Sequence, residues 1–287
     1  AGLLGRGPHL VVRVIARISS KALHVHGSPA RARLLETLER LVLRRARLVV
    51  PMGTFTRRLA VGSGAPEDRI VVLPCLTRWQ TADAPVRRRP DDAPRVIAAG
   101  RFVPEKGFDV LLRALADVGR SLADVTLDLA GDGPERLRLH HLAQELGVAA
   151  RVRFHGWLPA GQLAELFGSA DVAVLPSRVE EGLGMVLVEA GIAGCALVGS
   201  DLGGIRDIVR HGESGLLVEP DDPTALAGAL HRLLIDRGEA RQLGAAARSA
   251  ALAYLADRDT ALEQLRGAMV ALAQHDRRVA RPASLSG

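Results

Sequence analysis

Three residue types are scarce in this 287-residue sequence, and each scarcity narrows the field. Only two cysteines occur, Cys75 and Cys195, which excludes a disulfide scaffold and a four-cysteine zinc site and fits a reducing, cytoplasmic setting. Aromatic residues make up 3%, too few for the stacking platforms that hold single strands, so no nucleic-acid partner is expected. Lysine occurs only at Lys21 and Lys106, although Lys and Arg together number 38. Arg and Gly interrupt every apolar run before it reaches the length of a membrane span. No His/Cys spacing suggests a metal site. Ala1 stands where an initiator methionine would, so the sequence is expected to be part of a longer one.

What is present is globular: 48% apolar and 24% charged residues, in a length that suggests about two domains. Charge is divided unevenly. Residues 1–92 carry 17 Lys and Arg against 7 Asp and Glu, whereas the remainder carries 21 against 25. A basic segment of this kind is expected to meet an anionic surface.

From Arg95 onward short apolar runs alternate with amphipathic stretches. Strands are expected over Val96–Ala99, Val125–Ala130, Val152–His155, Val172–Pro176, Ala196–Gly199 and Gly215–Val218. Helices are expected over Gly107–Val118, Glu135–Leu146, Gly161–Gly168, Gly184–Ala193 and Ile205–His211, and the chain is helical from Asp221 to about His275. This alternation predicts an α/β fold with a doubly wound parallel sheet. The first part is less complete: a helix over Pro8–Ile18, an apolar run Ala22–Val25, a helix over Ala30–Ala46, then runs Leu48–Pro51 and Arg69–Leu73 about a short helix. It reads as part of a second α/β domain. The proline-rich, charged stretch Thr81–Pro94 is the natural linker, giving domains of 1–92 and 93–287.

Two constellations carry chemistry. Arg101 and Lys106 lie five residues apart in the loop between the first of these strands and its helix, at the sheet edge where such folds bind ligands. A guanidinium fork plus a compact ammonium suits a diphosphate. Glu181 lies in the loop after the strand ending at Pro176, Gly184 opens the next helix, and Glu189 falls on its second turn. A glycine there lets an anion reach free helix amides, and the two acids can accept bonds from hydroxyls.

These residues fall in a series of marks, GRFVPEKG (100–107), LAGDGPE (129–135), VRFHGWLP (152–159), ADVAVLPS (170–177), EGLGMVLVEA (181–190), GGIRDIV (203–209) and GLLVEPDDP (215–223). In this order they resemble the donor-binding domain of the retaining glycosyltransferases of family 4, a bacterial-type example here, which share the two-Rossmann-domain GT-B fold. The resemblance implies sugar transfer from a nucleotide-diphosphate sugar to a glycan, lipid or small-molecule acceptor, without metal or other cofactor. It implies that Arg101 and Lys106 hold the donor diphosphate, covered by the amides of Gly184, Met185 and Val186. Glu181 meets the donor sugar and Glu189 the ribose, while the base lies near Gly156, Trp157 and Leu158. No carboxylate nucleophile is evident, and front-face attack is expected.

The match thins toward the start. His26 in LHVHG (23–27) resembles the acceptor-domain histidine that reaches the donor sugar, and Cys75-Leu76-Thr77 stands where the family carries Asn-Gly-Val. The family's glycine-rich loop is expected upstream of Ala1, so an open sheet edge, self-association and donor binding with little transfer are expected of this length of chain. A nucleotide-sugar binding module without turnover is therefore the alternative. The helix bearing Arg31, Arg40, Arg44, Arg45 and Arg47 beside Leu34, Leu35, Leu38, Leu41 and Val42 reads either as a packed helix with a solvated face or as a patch for anionic lipid at the inner membrane face.

Overall fold

The computed structural model describes residues 10–15, 28–75 and 93–280. The chain divides into two compact units, Ala1–Pro74 with Ala256–Gly287, and Cys75–Leu255. This division differs from the domains read from sequence in grouping the end of the chain with the first unit. The linker expected over Thr81–Pro94 falls almost wholly outside the described residues, as do Ala22–Val25 and His26.

The second unit is built on six parallel strands: β3 (Arg95–Ala99), β4 (Thr126–Ala130), β5 (Val152–Gly156), β6 (Val172–Leu175), β7 (Ala196–Ser200) and β8 (Leu216–Val218). Their order across the sheet is β5-β4-β3-β6-β7-β8. Each lies where the apolar runs predict it. Strands β6 and β7 are buried along their whole length, which is why they read as unbroken apolar runs rather than alternating ones.

Between them run α3 (Phe108–Val118), α4 (Arg136–Glu145), α5 (Ala160–Ser169), α6 (Met185–Ile192), the short α7 (Ile205–Ile208) and α8 (Pro223–Ile235). One face of the sheet, with Val96, Leu127, Leu129 and Val174, packs against Leu111 and Leu115 of α3 and Leu230 and Leu233 of α8. Helices α5 and α6 contact the strands as a separate group, with Phe167 and Leu187 fully buried. Helix α8 starts where Asp222 accepts from the amides of Thr224 and Ala225, both at 2.9 Å, with Pro223 supplying a preset first turn. The Ala-rich α9 spans Arg237–Ala280.

In the first unit β1 (Val11–Val14) pairs in parallel with β2 (Leu48–Pro51), joined through α1 (Pro29–Arg45) and followed by α2 (Thr54–Gly62). The expected helix over Pro8–Ile18 is thus a strand where the structure describes it. Three valines in four residues lose side-chain freedom in a helix, and the fully buried β2 offers a ladder beside them. The run Arg69–Leu73 is not a full strand either; Ile70 forms a single parallel bridge with Val49. On α1 only Leu43 is buried, and Leu34, Leu38, Leu41 and Val42 are exposed.

Candidate functional site

The chain leaves β3 toward β4 on one side and leaves β6 toward β7 on the other, so the sheet reverses between these two neighbours. Loops that follow adjacent strands at such a reversal diverge and leave a crevice beyond their carboxyl ends. Here the loop after β3 carries Arg101 and Lys106, and the loop after β6 carries Ser177 through Gly184.

The two loops meet at Lys106 and Glu181, whose Nζ and Oε1 are 2.6 Å apart. The buried Ser177 hydroxyl donates to the same Oε1, also at 2.6 Å. The Glu181 side chain is only 13% exposed and that of Lys106 24%, so solvent weakens their attraction less than on an open surface. With Oε1 taken, Oε2 faces no donor among the described residues and remains able to accept from a hydroxyl. Beside it, Glu180 Oε2 is buried without a hydrogen-bond partner among the described residues, a costly state for a carboxylate oxygen.

Glu181 is followed by a tight turn into α6. The Glu181 carbonyl accepts from the Gly204 amide at 2.8 Å, and a Cβ on Gly204 would lie 2.1 Å from the Gly182 carbonyl oxygen. Gly184 then enters the helix at φ +78°, a left-handed conformation that other residues adopt at a cost. Met185 and Val186 open α6, where helix amides have no intrahelical acceptor and carry the positive end of the dipole. Glu189 is half-buried on the same helix.

Arg101 makes no bond to this cluster. It lines a depression of about 510 Å³ together with Gly100, Gly131, Asp132, Trp157 and Leu158. The loops after β3, β4 and β5 pack backbone to backbone there: Gly131 donates to the Gly156 carbonyl at 2.7 Å, and a Cβ on Gly131 would lie 1.8 Å from the Gly100 oxygen. Trp157 is 69% exposed and Leu158 half-buried. Arg101 is exposed, with no side-chain partner among the described residues. The structure therefore gathers Lys106, Glu181 and the start of α6 into one cluster, and Arg101, Trp157 and Leu158 into another. His26 lies outside the described residues. Among those residues there is also no group of three or more His, Cys, Asp or Glu side chains placed to hold a metal ion.

Three features escape the sequence. Ser177, Asp109 and Arg178 all bond within or beside the loops of the Lys106–Glu181 cluster. Burial pushes the Asp109 carboxyl up, but the hydrogen bonds and charge of Arg178, with help from Arg138, outweigh it and hold the group below the usual carboxylate range. The bond to Asp109 leads in raising Arg178 in turn, so the pair is charged throughout the physiological range.

The chain matches the family described as "Glycosyl transferases group 1" over residues 80–250, and "Glycosyl transferase 4-like domain" over residues 1–75. It is 36% identical over 198 residues to a GDP-mannose-dependent alpha-(1-6)-phosphatidylinositol monomannoside mannosyltransferase of Mycolicibacterium smegmatis, covering 67% of this chain and 50% of that protein. It is 35% identical over 243 residues to a D-inositol 3-phosphate glycosyltransferase of Acidothermus cellulolyticus, covering 78% of this chain and 53% of that one. The chain thus spans about half the length of the curated relatives it matches. Among solved structures, sucrose-phosphate synthase from Thermosynechococcus elongatus superposes with a TM-score of 0.76 at 28% identity, over 92% of this chain and 68% of that one. Anabaena HepE in complex with UDP and glucose shares the fold, with a TM-score of 0.72 at 22% identity over 90% and 72% of the two chains. Strand order, crevice and sequence matches agree: the chain belongs to the group 1 glycosyl transferases, with the GT-B fold.

Proposed function

We propose that the protein to which this chain belongs transfers a sugar, with retention, from a nucleoside diphosphate sugar to an acceptor hydroxyl. The observation that carries this is the Lys106–Glu181 pair, 2.6 Å apart in the crevice and next to the amide end of α6. When the bond from the sugar to the diphosphate breaks, negative charge grows on the departing oxygen. Fixed cations and helix amides aimed at that oxygen lower the barrier, because they need no reorganisation as the charge develops. Lys106 and the amides of Gly184, Met185 and Val186 fill that role, and Arg101 reaches the diphosphate from the other loop end. Glu181 accepts from a hydroxyl of the donor sugar through Oε2, Glu189 accepts from the ribose, and the base rests near Gly156, Trp157 and Leu158. His26, which lies outside the described residues, is the candidate catalytic histidine on the acceptor side. Neither metal nor cofactor enters this scheme, since cations and dipole meet the charge of the diphosphate.

One relative is named for GDP-mannose and one solved neighbour holds UDP, so both nucleotides are candidate donors. The first of these relatives is also named for phosphatidylinositol monomannoside, a lipid. Together with the exposed Leu34, Leu38 and Leu41 among the arginines of α1, this favours an acceptor presented at an anionic membrane on the cytoplasmic side, with α1 resting on the surface. Among the described residues no helix is long and apolar enough to cross a membrane. Nothing in the relatives' names favours a binder that does not turn over.

A thermal-shift screen of GDP, UDP, GDP-mannose and UDP-glucose tests the donor site, since a ligand at 100 times its Kd stabilises by about 2.7 kcal/mol. Radiolabel from the stabilising donor should then pass to vesicles containing phosphatidylinositol monomannoside or to inositol 3-phosphate. A chain stabilised by none of the four refutes the donor assignment, whereas the activity is read in the full-length protein, where stabilisation without any transfer refutes it.

A further inference from the structure

Arg178 follows Ser177 in the loop after β6, and its side chain ties together three other pieces of chain. Nη1 and Nη2 donate to Asp109 Oδ1 and Oδ2 at 2.7 and 3.0 Å, a two-pronged fork onto the first turn of α3. Nη1 also donates to the Pro104 carbonyl at 2.9 Å, and Nε to Asp221 Oδ1 at 2.7 Å. The Arg178 amide donates to the Glu105 carbonyl at 2.8 Å. Arg178 is therefore bonded to the chain on both sides of Lys106, and it stands three residues before Glu181, the partner of Lys106.

The fork is well shielded, with Arg178 18% and Asp109 13% exposed. Asp221, its third anchor, is the one non-glycine among the described residues with a positive φ, at 59°. Such a conformation persists where neighbouring bonds hold it, and the bond to Arg178 is one of them.

We infer that Arg178 is a positioning residue of the donor site, fixing the Pro104–Asp109 segment against the Ser177–Glu181 segment so that Lys106 and Glu181 stay at bonding distance. The inference rests on the donor-site reading of Lys106 and deepens it. A diphosphate draws Lys106 away from an exclusive bond with Glu181, so that bond alone cannot keep the two loops in register. Arg178 meets the demand because its bonds go to Asp109, Asp221 and backbone carbonyls, none of which is assigned to the ligand. Lysine offers a point charge in place of the planar fork and cannot span the carboxylate and the other acceptors together.

Lysine scarcity supplies the test, because Lys106 has only Lys21 for company. Acetylation of the whole chain by a succinimidyl ester, read by mass spectrometry, gives the Lys106 rate with Lys21 as internal reference. In Arg178→Gln the relative rate at Lys106 is expected to rise threefold or more. Affinity for UDP or GDP, whichever the parent binds, is expected to fall fivefold or more by calorimetry, while binding of the matching nucleoside holds. Arg178→Lys should recover only part of both losses. If Arg178→Gln does not fold, Asp109→Asn, which keeps the bonds of Arg178 to Asp221 and Pro104, carries the same two readouts. A folded variant with parental labelling and parental diphosphate affinity overturns the inference, as does a lowered melting temperature with Lys106 unchanged. A parent that binds neither diphosphate overturns the donor reading instead, and the labelling ratio alone then decides whether Arg178 holds the loop.

Discussion

Gly107 and Pro176 touch backbone to backbone: a Cβ on Gly107 would lie 2.0 Å from the Pro176 carbonyl oxygen, and the Gly107 φ is +64°. This contact brings the loop after β3 against the end of β6, one residue from Lys106 on one side and from Ser177 on the other. Gly107→Ala therefore meets two penalties. The left-handed backbone costs about 1–2 kcal/mol for a residue with a Cβ, and the clash is with a carbonyl in the chain rather than with a flexible side-chain tip. We expect a loss of more than about 2 kcal/mol in urea unfolding, together with weaker binding of nucleoside diphosphates. A variant within about 0.5 kcal/mol of the parent, the range of ordinary surface substitutions, would show that the loops can separate at little cost.

Arg101 presents the opposite case, an exposed cation with no side-chain partner among the described residues. Arg101→Ala is expected to leave stability within about 0.5 kcal/mol. If Arg101 reaches the donor, nucleoside diphosphate binding should weaken by about 1.5–3 kcal/mol, or roughly tenfold or more. Nucleoside binding should not change. Calorimetry with the two ligands separates these outcomes, and equal losses for both would place Arg101 at the base instead.

The legibility of this molecule follows the range over which its interactions act. The strands of the second unit are continuous runs such as Val172–Leu175 and Ala196–Ser200, bounded by glycine and loop residues, and burial on both faces writes that pattern locally. The placement of Lys106 and Glu181 near one another follows from topology, since both sit after adjacent strands at the reversal of the sheet. Arg178 is illegible because its partners Asp109 and Asp221 are 69 and 43 residues away, and one arginine among many carries no mark. Asp128 is a different kind of miss. An acid within the apolar run Thr126–Ala130 is visible in sequence, but its partners, Arg95 at 3.0 Å and His155 at 2.7 Å, come from the two neighbouring strands. In Val11–Val14 the described strand is too short for its period to distinguish it from a helix, and pairing with β2 decides.

Glu189 sits on α6, on the second turn from the helix start that Gly184 opens. If it accepts from the ribose, Glu189→Ala should weaken nucleoside diphosphate binding by about 1–3 kcal/mol. The same loss should appear when the parent is given a 2′,3′-dideoxynucleoside diphosphate. Ribose and carboxylate then form one interaction, so the variant should not discriminate between the ordinary and dideoxy ligands. Continued discrimination by Glu189→Ala would move the ribose contact to another residue.

Acid should loosen the crevice before it reaches the rest of the second unit, and Asp109 is the reason. Its carboxyl is held below its ordinary value of about 3.9, because the fork from Arg178 outweighs the opposing effect of burial. A depressed folded value means that the unfolded chain takes up the proton first as pH falls. The stabilisation is therefore complete above about pH 5, declines from about pH 4 downward, and is gone below the folded value. At pH 7 a shielded, two-pronged charged bond contributes on the order of 1.5–3 kcal/mol. Asn at position 109 keeps the shape and removes the charge. The stability difference between the parent and Asp109→Asn should thus be largest at pH 7, nearly the same at pH 5, and clearly smaller at pH 3.5, measured by urea unfolding at each pH. A difference that stays constant down to pH 3.5 would mean that the fork stabilises through geometry alone and that the charge of Asp109 contributes nothing.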